Sequence, residues 1–306
     1  MIAKHLDLQN IEALGKNSAL VLGTFDGVHI GHRLLIEEGK KRQKNVAVLL
    51  IYTNKKMTKD HQKSGVLTSL EDRVNMFKEL GVKTIYLLNL GDDLLKLSPR
   101  EFVNNVLIPL APAEVMVGND FRFGKDAKGS STDLAAFGKD YFMTTEVEPL
   151  LYNGDKVSTS LIKDYLLNGD PKTAKFLLGT YYKLTGLVTK GYGLGNKLGF
   201  PTANMALDPT YFLPKHGVYF VRVKIKNKVY FGMASLGFHP TVNEVKVPLL
   251  EVNIFNFNDR IYHEALCVEF IDFLRPEIKF QNVKDLVTQL NKDHSVCMEK
   301  IEEGDY

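Results

Sequence analysis

A doubly wound α/β domain followed by an all-β domain is the fold this sequence predicts. Two textures carry that reading. Up to about residue 168, short apolar runs alternate with helical patterns. Beyond about residue 183, runs rich in β-branched and aromatic residues follow one another with only turn signals between them. The 306 residues accommodate two domains of about 100–200 residues each.

In the first half, Ser18–Gly23, Val46–Tyr52, Thr84–Leu90 and Glu114–Gly118 are near-continuous apolar runs, as strands of a parallel sheet covered on both faces must be. Helix signals lie between them. Ser69 opens an amphipathic stretch that runs to Leu80 and is stopped by Gly81. Ser98-Pro99-Arg100-Glu101 is a capping box with proline at the first helical position. In the second half, Val218–Lys226, Val229–Ala234, Leu249–Phe255 and Ala265–Phe273 read as strands, punctuated at Lys226-Asn227-Lys228, Pro240 and Asn256–Asp259. Without intervening helices they predict an antiparallel barrel or sandwich. Leu286, Leu290 and Met298 restore helical spacing, so a helix over Val283–Lys300 closes the domain. The domains are expected to be 1–170 and 182–306, joined across a short helix at Lys172–Leu178.

Composition narrows the function. A net charge of +3 is too small for whole-molecule binding to a polyanion, so nucleic acid is not an expected partner. Two cysteines, Cys267 and Cys297, exclude a disulfide scaffold and a zinc quartet. No stretch approaches the ~18 apolar residues of a membrane helix. The first residues also lack the layout of a signal peptide. A soluble, cytoplasmic protein without a membrane partner is the expectation; the oligomeric state is not readable.

The first predicted strand runs into Gly23-Thr24-Phe25-Asp26-Gly27-Val28-His29-Ile30-Gly31-His32, and a helix follows. That loop lies at the carboxyl edge of the sheet, where doubly wound folds bind ligands. A helix N-terminus there offers free N–H groups and positive potential to a phosphate. His29 and His32, three residues apart, share a face and can donate hydrogen bonds to charge developing at phosphorus. A metal pair and two structural histidines are the competing readings. No P-loop string is present.

The second string is Lys190-Gly191-Tyr192-Gly193-Leu194-Gly195-Asn196-Lys197-Leu198-Gly199-Phe200-Pro201-Thr202-Ala203-Asn204. Its glycines Gly191, Gly193, Gly195 and Gly199 make a loop able to fold backbone N–H groups over phosphates. Thr202 and Asn204, two apart on an extended segment, present two oxygens to one face, which suits a hard cation such as Mg²⁺. The alternative is a mobile hairpin with satisfied polar groups. Glu251 is a lone carboxylate in the apolar strand PLLEVNIF; partly buried it would titrate high, as suits a base. The plain alternative is a solvent-facing strand glutamate.

These strings resemble the bifunctional bacterial riboflavin kinase/FAD synthetase family, in order and over nearly the whole chain. Gly23–His32 is similar to its nucleotidyltransferase signature, and Val117–Gly124 to its second motif. Lys190–Asn204 is similar to its riboflavin kinase signature, with further blocks at Pro214–Tyr219, Leu250–Phe255 and Leu274–Phe280. The resemblance implies an N-terminal Rossmann-like nucleotidyltransferase domain and a C-terminal β-barrel kinase domain. It also implies two Mg²⁺-dependent reactions: riboflavin phosphorylated by ATP to FMN, then FMN adenylylated by ATP to FAD with release of pyrophosphate. It assigns Thr202 and Asn204 to Mg–ATP and Glu251 to the catalytic base. Gly23, Thr24, Phe25, Gly31, Asp120, Ser158, Thr159 and Lys163 fall to the adenylyl-transfer site, with Phe121 and Phe123 shaping or packing it. Gly191, Gly193, Gly195, Lys197, Gly199 and Pro201 fall to the kinase site, and Arg275 to flavin or nucleotide phosphate, with a surface ion pair as the alternative for Arg275.

The chain departs from the family in three places. Where members commonly carry a Pro-His-Pro-like element it has Tyr52-Thr53-Asn54-Lys55-Lys56-Met57. Where they carry Ser-Ser-Thr-x-Ile-Arg it has Ser158-Thr159-Ser160-Leu161-Ile162-Lys163, and lysine is not a bidentate arginine. Leu194 and Asn196 stand where members often have arginines in the covering loop, with Lys190 and Lys197 as compensating charges. Three competing functions follow: a kinase with a vestigial first domain, a flavin- or nucleotide-binding regulator without turnover, and another adenylyl or cytidylyl transferase with an unrelated β domain.

Overall fold

The structure, a computed structural model, describes residues 2–53, 65–191, 194–226, 228–239, 247–304 and 306. Gly193, Asn54–Met57 of the departing element and Pro240 lie outside the described residues. The chain divides into two compact units, Met1–Lys56 with Thr68–Leu161, and Met57–Leu67 with Ile162–Tyr306.

The first unit is a six-stranded parallel sheet of β1 (Ile2–His5), β2 (Gly15–Gly23), β3 (Asn45–Tyr52), β4 (Thr84–Asn89), β5 (Pro112–Gly118) and β6 (Met143–Val147), in the order β1-β4-β3-β2-β5-β6. The apolar runs end up in the middle. In β3 the six residues Val46–Ile51 are all buried. Strand β2 serves both faces by period two: Leu20 and Leu22 join one core with Leu49 and Leu107, while Ala19 and Val21 join the other with Ile36 and Phe77. Helix Leu70–Glu79 starts at Ser69, whose hydroxyl accepts from the Asp72 amide at 3.0 Å. Ser98 and Glu101 form the reciprocal capping box. Strand β1 and the small hairpin of β7 (Leu151–Tyr152) and β8 (Asp155–Lys156) were not foreseen; β1 is a short edge strand with no buried face.

Chain order fixes where ligands go. From β2 the sheet grows to β3 and β4 on one side and to β5 and β6 on the other. The switch point therefore opens between the carboxyl ends of β2 and β5. Those ends carry Gly23, where the first motif of this half starts, and Val117-Gly118, where the second does.

The second unit is a closed antiparallel barrel, not a sandwich. Its strands are β9 (Lys183–Thr189), β10 (Ala203–Leu207), β11 (Gly217–Ile225), β12 (Lys228–His239), β13 (Val247–Ile254) and β14 (Ala265–Arg275). They run β10-β13-β12-β11-β14-β9, and β9 pairs with β10 to close the ring. Val221, Val223, Leu250, Val252, Val268 and Phe270 are fully buried. Helix Val283–Glu303 lies outside, with Leu290, Cys297, Met298 and Ile301 packed on Val218, Phe220, Met233 and Ile271.

The division falls at Leu161, within helix Thr159–Asn168, earlier than the 170–182 linker expected from composition. The later turns of that helix are tied into the second unit. Leu166 is buried and its carbonyl accepts from the Lys215 amide at 3.0 Å. The helix expected at Lys172–Leu178 forms over Pro171–Leu178, with Asp170 as its cap.

Candidate active sites

The first site grows from the loop after β2. Phe25, Gly27 and Val28 all take positive φ, at 52°, 83° and 41°. This tight turn ends on His29, which caps helix α1 (Ile30–Arg42): its Nδ1 accepts the His32 amide at 3.3 Å. Accepting at Nδ1 places the His29 proton on Nε2. The two imidazoles stack, with centroids 3.5 Å apart and planes 18° from parallel. His29 is buried, and burial pushes its pKa down to about 4, with Lys156 adding and Asp120 opposing. Burial likewise holds His32 well below the usual histidine range, assisted by His29, Arg73 and Lys156. Nδ1 of His32 is buried and finds no hydrogen-bond partner among the described residues.

These groups face a cavity of about 790 Å³ at the switch point. Gly23, Thr24, Phe25, Gly31, Asp120, Ser158 and Thr159 all line it, so the structure brings together residues separated by more than a hundred positions. Phe123 belongs to the core and Phe121 stacks on it at 5.8 Å, as expected of packing aromatics. The structure also specifies what each polar group is doing. Asp120 pairs with Lys156 at 2.6 Å, and Lys156 also donates to Asn119 at 3.0 Å. Lys156 lines the cavity and was missed in sequence, because it lies in a two-residue strand with no motif character. Ser158 accepts the Leu161 amide, which makes it a cap, and the Thr159 hydroxyl donates to the Asp26 carbonyl at 3.1 Å. Lys163 is not at the cavity. Its ammonium donates to the Gly65 carbonyl and sits 5.4 Å from the centre of the Phe212 ring.

The second site is on the barrel's outer face. Asn204 of β10 lies directly opposite Glu251 of β13, and Glu251 lies opposite Ser235 of β12. Their neighbours Met205, Leu250, Val252, Ala234 and Leu236 are buried, so the polar row takes the other face by alternation. Glu251 is half-buried, neither core nor freely solvated. Ser235 was missed in sequence because cross-strand register is invisible there.

The glycine loop sits against this row. A Cβ on Gly191 would come within 2.2 Å of the Asn204 amide nitrogen, so only glycine admits the carboxamide there. Leu194–Lys197 forms a short helical turn, and the Phe200 amide closes it by donating to the Gly195 carbonyl at 2.9 Å. The Thr202 hydroxyl oxygen lies near Gly195, and the Pro201 carbonyl accepts from Asn253 at 2.7 Å. Lys197, Gly199 and Pro201 are exposed. A cleft of about 440 Å³ beside Pro201 and Thr202 is walled by Phe257, Arg260 and Tyr262.

Arg275 is not in either cavity's wall. Its guanidinium grips Asp293 of the closing helix through Nε, at 3.0 Å to both carboxylate oxygens, and Nη2, at 2.8 Å. Of the two readings of Arg275, the ion pair describes what this structure holds, and it is largely buried rather than superficial.

Comparison with known proteins agrees with this geometry. A family model for FAD synthetase matches residues 11–161, and one for riboflavin kinase matches residues 178–301. The bifunctional riboflavin kinase/FMN adenylyltransferase of Bacillus subtilis is 34% identical over 90% of this chain and 90% of its own length. The protein of the same description from Listeria monocytogenes is 35% identical, again over 90% of both. A crystal structure described as a macrolide-efflux protein from Streptococcus pneumoniae superposes with a TM-score of 0.86 at 30% identity, covering 97% of this chain and 99% of that one. With both family models matched in chain order and whole-length relatives of one description, the chain belongs to the bifunctional riboflavin kinase/FMN adenylyltransferase family.

Proposed function

We propose that this chain makes FAD in two ATP-dependent steps, one in each unit, as a cytoplasmic enzyme whose partners are its small-molecule substrates. In the barrel, Glu251 takes the proton from the 5′-hydroxyl of riboflavin as that oxygen attacks the γ-phosphorus of ATP. FMN forms and ADP leaves. Phosphoryl transfer of this kind asks the protein mainly for positioning and charge.

Mg²⁺ fits the kinase residues. Thr202 and Asn204 offer neutral oxygens, ATP would supply charged ones, and such all-oxygen sets suit a hard cation. Among the described residues no His/Cys/Asp/Glu cluster competes for a metal. When bound, Mg²⁺ neutralises phosphate charge. Gly191, Gly195 and Gly199 let the loop approach the phosphates, with Gly193 assigned by the motif alone and Lys197 adding charge.

In the first unit, a phosphate oxygen of FMN attacks the α-phosphorus of a second ATP. The bond to the β-phosphate breaks and pyrophosphate leaves. At neutral pH His29 is uncharged, and its Nε2–H donates to oxygens of the reacting phosphates. His32 supports it through the stack and the α1 N-terminus adds positive potential. Asp120 and Lys156 exchange each other for substrate, and Thr24, Phe25, Ser158 and Thr159 shape the wall.

The observation that carries this proposal is that Gly23, His29, His32 and Asp120 line one cavity at the switch point, while Asn204 and Glu251 stand opposite each other beside the glycine loop. The test is a product assay with riboflavin, ATP and Mg²⁺, repeated from FMN, separating riboflavin, FMN and FAD over time. FAD from both starts supports two working sites. FMN without FAD from either start instead supports a kinase with a vestigial first unit, which the turning of Lys163 onto Gly65 favours. A transferase of another class fails if riboflavin is converted at all. The efflux description of the Streptococcus structure is not carried over; among the described residues no helix is long and apolar enough to cross a membrane.

A further inference from the structure

The turn Thr24–Val28 is held from behind. Arg73, one turn into helix Leu70–Glu79, donates from Nη1 to the Thr24 carbonyl at 2.9 Å. Its Nε and Nη2 donate to the Thr68 carbonyl at 3.2 and 3.0 Å. The guanidinium is buried, and Nη2 approaches Asp26 at 3.9 Å. Thr68 continues the brace: its hydroxyl accepts from the Gly27 amide at 2.9 Å and donates to Asp26 Oδ1 at 3.2 Å. The Asp26 and Val28 carbonyls are taken by Thr159 and Arg33.

Phe25 and Val28, two non-glycine residues of one turn at positive φ, do not hold themselves, and such conformations persist only where surroundings over-determine them. Arg73 ties the loop's first carbonyl to a different helix. We infer that Arg73 is a positioning residue for adenylyl transfer: it locks the strained turn so that the His29–His32 stack is presented in one geometry before nucleotide arrives. The inference rests on the reading of the first unit as the FMN adenylyltransferase. Arginine suits the task because its planar fork bridges two carbonyls at fixed spacing, whereas lysine offers a single point of charge.

The test uses the full chain as wild type, Arg73→Met, Arg73→Lys and Thr68→Val. The last removes only the hydroxyl that serves Gly27 and Asp26, so it informs even if Arg73→Met folds poorly. FMN-to-FAD turnover is measured with kcat and KM separated, riboflavin phosphorylation is the internal control, and histidine ring protons are titrated by NMR. The groups facing His32 are His29 at the cap of its own helix, Arg73 on the helix behind, and Lys156 on the hairpin.

The expected result is a fall in adenylylation kcat of about 100-fold in Arg73→Met, the scale set by small misplacement of catalytic groups. Arg73→Lys recovers part of it and Thr68→Val falls in the same direction. Riboflavin phosphorylation stays within about twofold, the His32 resonance titrates closer to the ordinary range, and the His29 and His32 ring shifts change together. The inference is overturned if kcat per folded molecule is unchanged in Arg73→Met and Thr68→Val, if both activities fall in parallel with folded fraction, or if the ring shifts match wild type. If wild type makes no FAD from FMN, the functional reading fails instead, and the ring shifts still decide whether Arg73 sets the loop.

Discussion

Asn204 and Glu251 face each other across the β10–β13 ladder, 47 positions apart in sequence but adjacent on one face of the barrel. Directly opposed residues have Cβ atoms about 4.5–5.5 Å apart. In the proposed kinase reaction, a carboxylate and a carboxamide at that spacing would bracket the place where the hydroxyl meets the γ-phosphoryl group.

Glu251→Gln keeps the size and the hydrogen-bonding reach but cannot take a proton. Riboflavin phosphorylation is expected to fall by about 10²–10⁴-fold, the usual yield of a general base. FAD formation from FMN should be untouched, since that step uses the other unit. A chromatographic assay from each starting flavin measures both in one preparation. Retained phosphorylation would sink the role of Glu251, and a pure binding regulator would keep its function in this variant.

Gly191→Ala tests the loop. The added methyl would come within 2.2 Å of the Asn204 amide nitrogen, so the carboxamide must swing away. Because the colliding atom belongs to a side chain and not to the barrel backbone, the fold should survive. The expected effect is therefore on substrate: a raised KM for ATP and a higher Mg²⁺ requirement, with an unchanged melting temperature. Titrating Mg²⁺ at fixed ATP reads the first, and thermal denaturation followed by circular dichroism the second.

What was legible in sequence was whatever local chemistry decides. The buried run Val46–Ile51, the cap at Ser69 and the box at Ser98–Glu101 need no distant partner to be recognised. Strand β10 was not legible, because Ala-Asn-Met-Ala-Leu has no β-branched residue and is made a strand by pairing with β9 and β13. The site residues divide in the same way. His29, His32 and the glycine loop sit in dense strings, whereas Arg73, Lys156 and Ser235 reach their sites through folding and carry no local mark. Thr159, Lys163 and Arg275 were placed by motif, yet their polar atoms are engaged by Asp26, Gly65 and Asp293, partners that spacing alone does not reveal.

Asp293→Ala should destabilise the second unit strongly. It leaves the Arg275 guanidinium, mostly buried, without the carboxylate that takes its Nε and Nη2 donors, and Gln289 loses its acceptor as well. Breaking a buried pair from one side costs about 3–5 kcal/mol. Replacing both partners, as Arg275→Met with Asp293→Leu, should recover most of that loss. Urea midpoints of Arg275→Met, Asp293→Leu and the double variant close the cycle; additive losses would show that the pair is not what pins the helix.

The His29 site makes the first unit acid-sensitive. Its pKa is about 4 in the fold against 6.5 for an ordinary histidine, so above pH 6.5 both folded and unfolded states are neutral and the group has no effect. As pH falls from 6.5 towards 4, the unfolded chain takes up a proton that the folded site refuses. Stability is therefore lost through that window, by up to about 3 kcal/mol at 1.36 kcal/mol per pKa unit. His29→Gln, which cannot titrate, should flatten this part of the profile, although losing the α1 cap lowers its stability at pH 7. Urea unfolding of both proteins at half-unit steps from pH 7 to 4.5 measures the difference. Parallel profiles would mean that His29 accepts its proton as readily folded as unfolded, and that burial is not what keeps this imidazole a neutral Nε2–H donor.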